Sequence, residues 1–107
     1  MQRYKFIHFN MTFTLGSGFS IGVNPTISGL PAFRSDEQVS SFIGEAHNID
    51  LDETFQTCAI ANDATSFILG HAHIKGNEIS NEPLTATDPF TFVAGDKITI
   101  SGTYETI

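Results

Sequence analysis

Lys5-Phe6-Ile7-His8-Phe9-Asn10-Met11-Thr12-Phe13-Thr14-Leu15 carries Ile7, Phe9, Met11, Phe13 and Leu15 on every second position, with His8, Asn10, Thr12 and Thr14 between them. Successive side chains of an extended chain point to opposite faces, so this alternation reads as a strand with one buried and one wet face. The pattern returns near the other end, where Ile98, Ile100 and Tyr104 take even positions after an Ala94-Gly95-Asp96 turn. Thr, Ile, Val and Phe dominate the runs between, and no segment sustains a helical period.

Working inward, Gly16-Ser17-Gly18 offers a reversal after which residues 19–23 run back as a second strand, forming a hairpin with the first. Residues 26–30 resume a strand after Asn24-Pro25, and residues 40–45 form another. Residues 54–60 and 65–74 flank an Asn62-Asp63-Ala64 turn as a further hairpin. Residues 75–88 are polar and hold Gly76, Asn77, Asn81 and Pro83, so a long loop with one short strand near its middle is expected there. Phe90 and Phe92 alternate ahead of the Gly95-Asp96 turn and predict a closing hairpin. These runs predict an all-β chain, an antiparallel β-sandwich of about seven or eight strands with jelly-roll-like topology, in a single domain over residues 1–107.

Composition narrows the functions open to such a domain. With 107 residues, 40% hydrophobic and ten of them Phe, the chain has material for one core and not for two. Twelve acidic residues against five basic give a net charge of −7, which repels phosphate backbones and anionic lipid heads and argues against nucleic acid and membrane as partners. A single cysteine, Cys58, excludes an internal disulfide and a cysteine metal cluster. Arg3, Lys5 and His8 interrupt the apolar residues of the first ten positions, so no secretory signal is expected and synthesis in the cytoplasm is.

Chemistry-bearing patterns are few. Gly70-His71-Ala72-His73 puts two imidazoles on the same face of a strand, where His71 and His73 could share one divalent metal ion. A third ligand would come from His8, His47 or the acidic residues of 48–53, or from copies of the pair around a three-fold axis; two hydrogen-bonded surface histidines are the ordinary alternative. Asp36-Glu37 and Asp50-Asp52-Glu53 lack the spacing of a calcium loop and read as solvated charge. Cys58 lies mid-strand without a neighbouring cation in sequence and reads as a buried, inert thiol. No serine sits in a nucleophile elbow and no glycine run has the form of a phosphate loop, so catalytic residues and an organic cofactor are not expected.

The closing stretch Pro89-Phe90-Thr91-Phe92-Val93-Ala94-Gly95-Asp96-Lys97-Ile98-Thr99-Ile100-Ser101-Gly102-Thr103-Tyr104-Glu105 resembles the end of small β-sandwich modules in tailed-bacteriophage virion proteins, and Met11-Thr12-Phe13-Thr14-Leu15-Gly16-Ser17-Gly18-Phe19-Ser20-Ile21-Gly22 is similar in style to them. A looser resemblance runs to the trimeric jelly-roll heads of complement and tumour-necrosis-factor type proteins. The resemblance implies a structural protein of the virion, made in the host cytoplasm, serving as capsid decoration, head fibre or fibre tip. It implies a homotrimer in contact with other virion proteins, with a host-surface glycan as a further partner. A carbohydrate-binding β-sandwich module is the alternative, resting on the sandwich and the polar residues 75–88, and a cupin-like metalloenzyme would rest on His71 and His73.

Overall fold

In the computed structural model the described residues are 5–22, 24–75 and 77–106, and the side chains of residues 36, 37, 73–75, 78 and 79 lie outside the description. The described chain is all-β and antiparallel, with strands β1 (Lys5–Thr14), β2 (Thr26–Ile27), β3 (Ile43–Asn48), β4 (Glu53–Asp63), β5 (Ser66–Lys75), β6 (Glu78–Pro83) and β7 (Lys97–Thr106). They form one sheet in the order β1-β7-β3-β4-β5-β2, with β6 also on β5. The sheet curls into a half-barrel and is sandwich-like in that its two ends face each other across one core.

The period-two stretch is β1, paired with β7 over ten positions from Lys5↔Thr106 to Thr14↔Lys97. Its odd residues face inward with Ile98, Ile100 and Tyr104 opposite, while His8, Asn10 and Thr12 face out across Thr103, Ser101 and Thr99. Inside, the Phe42 ring meets Phe9 edge-on at 4.7 Å, Phe67 at 5.4 Å and Tyr104 at 5.8 Å, so side chains from β1, β5 and β7 converge on it. Phe42 fits because Gly102 leaves the space: a Cβ there would collide with the Phe42 ring. The Tyr104 hydroxyl donates to the Pro31 carbonyl at 2.7 Å, which satisfies the polar end of a buried ring.

Between β3 and β7 hydroxyls add to the backbone ladder. Thr99 Oγ1 accepts from the Glu45 amide at 2.9 Å, and Thr57 Oγ1 on β4 donates across Gly44 to the Thr99 carbonyl at 2.8 Å. A Cβ on Gly44 would strike that carbonyl.

Three expectations need correction. Residues 19–22 form no strand and do not pair with β1, because Gly18 and Gly22 at φ 78° and 68° turn the chain away from the ladder, and β7 takes the place instead; residue 23 lies outside the described residues. Residues 40–45 do not extend as one strand. A 3₁₀ turn, Asp36–Ser41, precedes β3, and the bond from the Phe42 amide to the Val39 carbonyl brings both side chains inward. Residues 90–92 are not a strand either; Phe90 and Phe92 stack at 4.3 Å, Phe90 lies against Phe55 of β4 at 5.3 Å, and this segment lies over the sheet instead of joining it.

The seat of Phe42 predicts a contrast between two glycines. Gly102→Ala should lower stability by about 1–3 kcal/mol through overpacking, whereas Gly16→Ala, with nothing near its Cβ position, should change it by under about 0.5 kcal/mol. Urea midpoints of the two variants check this, and equal midpoints would contradict the packing described.

Candidate metal centre

The β4-β5 hairpin sets the level of every side chain below it. Its turn is locked by Asp63, whose Oδ1 accepts from the Ser66 hydroxyl at 2.7 Å and the Thr65 amide at 3.0 Å; these bonds, the Ser66 hydroxyl foremost, hold the Asp63 carboxyl below the usual carboxylate value. From that turn the register runs to Thr57↔His71, and β6 continues it with His71↔Glu82. Directly opposed residues of an antiparallel pair face the same side, so Glu82 shares the inner face with His71.

After β6 the chain is pinned by the Leu84 amide on the Leu69 carbonyl at 3.0 Å, and Leu84 is fully buried. A tight turn from Thr85 to Asp88 follows, closed by the Thr85 amide on the Asp88 carbonyl at 3.0 Å. This returns Asp88 over the sheet, with its Oδ2 3.3 Å from His71 Nε2. One ligand atom from each of His71, Glu82 and Asp88 lies within 4.8 Å of the others. The imidazole is almost wholly enclosed, its side chain 3% exposed, while Asp88 at 41% keeps one side of the group open to water.

The orientation of the ring follows from its neighbours. His71 Nδ1 is 3.2 Å from the Ala72 carbonyl, to which the Nδ1–H tautomer would donate. Nε2 is thereby turned to the side where the carboxylates lie, 3.3 Å from Asp88 Oδ2. One imidazole nitrogen and two carboxylates form a mixed nitrogen-oxygen donor set of the kind that suits divalent first-row metals.

Of the residues the sequence put forward, His71 stands at this point; the side chain of His73, on β5 opposite Ser80, lies outside the described residues. The third ligands expected from His8, His47 or residues 48–53 are not there. His8 bonds to Thr103 on the outer face at 2.8 Å, and His47 contacts Thr54 at 3.3 Å and Asp52 at 3.4 Å. Residues 48–53 instead make the β3-β4 turn, where Asn48 Oδ1 accepts from the Asp50 and Leu51 amides. Glu82 and Asp88 were missed because residues 75–88 read as loop. The signal for a hairpin was Gly76-Asn77 between two runs that extend, which puts Glu82 across from His71 by counting.

The chain matches no protein family, no curated protein and no solved structure. What the group can do therefore rests on its own geometry.

Cys58 is buried between Ile43 and Gly70 on neighbouring strands, and burial pushes its thiol above the ordinary 9.0. Burial likewise raises the Tyr104 phenol above 10.0. Above about pH 9 the unfolded chain ionises these groups while the folded chain keeps them protonated, so unfolding releases protons and stability falls as pH rises. Urea midpoints should be level from about pH 7 to about pH 8.5 and decline toward about pH 10.5, with Cys58→Ala removing the earlier part of the decline. A profile that stays flat in both chains would contradict this.

Proposed function

We propose that the chain is a non-enzymatic structural module of a bacteriophage virion, a capsid decoration or the knob of a fibre used in host attachment, working as a homotrimer among other virion proteins. The resemblance of its two terminal stretches is one support, and they meet where Met11–Thr14 of β1 pairs with Lys97–Ile100 of β7. The observation that carries the reading is the outer face of β1, β7, β3 and β4. It holds a shallow open depression of about 770 Å³, lined by short polar side chains such as Asn10, Thr12, Gln56, Thr99 and Ser101 around Ile43. Ile43 is 51% exposed and Phe6, on the same face toward the end of β1, is 64% exposed. A broad polar surface with isolated apolar anchors is the make-up of a wet protein-protein contact.

No aromatic ring lines this depression, so it lacks the stacking platform that a sugar-binding face uses. That favours a protein partner over the carbohydrate-module alternative.

Light scattering on the purified chain should return the mass of a trimer. Phe6→Glu with Ile43→Glu should reduce it to the mass of one chain while leaving far-ultraviolet dichroism unchanged. A monomeric wild-type chain that also fails to bind any phage particle would defeat the proposal.

A further inference from the structure

We propose that His71, Glu82 and Asp88 bind one divalent transition-metal ion, of the zinc or manganese class, which fastens the segment after β6 to the inner face of the sheet. Three pieces of backbone separate in sequence supply one donor each: the middle of β5, its partner position on β6, and the Thr85–Asp88 turn. The donors are brought together by elements with other reasons to be where they are. His71↔Glu82 is a ladder pair, and the turn is closed by its own backbone bonds.

The independent observation is the orientation of the imidazole. Its Nδ1 lies 3.2 Å from the Ala72 carbonyl and its Nε2 3.3 Å from Asp88 Oδ2, the arrangement in which metal-ligating histidines are held, with the outer nitrogen on a carbonyl and the inner one turned to the ion. Two carboxylates and an imidazole nitrogen brought to one point favour a positive charge among them, and the site is built on a ring that is 2% exposed as a residue. Donors around an ion at about 2.0–2.2 Å stand about 3.4 Å apart in a tetrahedral shell. The present separations of at most 4.8 Å close to that by rotation about the side-chain bonds of Asp88, which is 41% exposed, and of Glu82. Nitrogen in the set disfavours calcium and magnesium, which take oxygen shells, and selects zinc, manganese or their neighbours. Solvent reaches the site beside Asp88, so water completes the coordination.

The test is titration of the chelator-stripped full-length chain with Zn²⁺ and with Mn²⁺ by calorimetry, followed by thermal unfolding with and without each ion. One equivalent per chain is expected, with a rise in Tm on the order of 5 °C or more at saturating metal. Asp88→Asn and Glu82→Gln should each weaken binding by more than about a hundredfold, beyond the cost of losing an outer-shell partner, while their metal-free Tm stays near that of the parent. His8→Ala and His47→Ala, which change exposed imidazoles elsewhere, should bind as the parent does. Binding of neither ion tighter than about 0.1 mM would overturn the proposal, leaving a proton in the position assigned to the metal. Binding that survives both carboxylate variants, or that is lost in His8→Ala or His47→Ala, would overturn it as well.

Discussion

The Phe42 ring is the contact from which the rest of the molecule can be built. It sits on a glycine of β7, and rings from β1, β5, β7 and the residue-33 loop close around it at centroid distances from 4.7 to 6.0 Å. A seven-stranded sheet laid flat would leave β1 and β5 far apart; with Phe9 and Phe67 at 5.9 Å they face each other, and the sheet must curl. Each such pair contributes about 0.5–1.5 kcal/mol beyond burial, and those that share Phe42 or close around it gain only if Gly102 stays small.

Curling has a consequence for chemistry. It makes an inside, and β5 lies deep in the strand order with β4 on one edge and β6 on the other, so a polar residue on its inner face is enclosed. His71 is such a residue; Thr57 on β4 and Asp96 just before β7 are also buried and polar, each matched by bonds to backbone: Thr57 to the Thr99 carbonyl, Asp96 to the Ile49 and Val93 amides at 2.9 and 2.7 Å. Thr57 and Asp96 thus serve the fold, tying β4 to β7 and the β3-β4 turn to the start of β7. His71 differs because what faces its inner nitrogen is a carboxylate side chain from a surface turn, which can move without disturbing the ladder. The outer face is of opposite character, short-chained and wet, with Phe6 and Ile43 as its apolar points. The half-barrel therefore separates an inner group suited to an ion from an outer surface suited to a partner.

Particular residues show why the candidate site was only partly legible. His71 was visible because it forms a His-x-His pair with His73, and two residues so spaced share one face of a strand. Glu82 required knowing that residues 78–83 extend and pair with β5, and the run Glu78-Ile79-Ser80-Asn81-Glu82 has one apolar residue with which to advertise a strand. Asp88 required the turn that follows Leu84 to fold back, which depends on Leu84 finding a buried seat beside Leu69. The place of Glu82 follows by counting only once that strand is granted, and the seat of Leu84 is not local, so Asp88 could not be read from spacing.

By itself the sequence determined that this chain is all-β and antiparallel, that β1 and β7 each bury one face, and that residues 54–60 and 65–74 flank a hairpin turn. All of these follow from alternation and turn chemistry, which act between near neighbours. The tertiary structure alone decided that β1 pairs with β7 and not with the residues after Gly18, that Phe90 and Phe92 cover the sheet rather than join it, and that His71 meets Glu82 and Asp88. A period of two tells which face of a strand is buried, but it is the same for every possible neighbour. Choosing among them took the one arrangement that lets five rings close on Gly102.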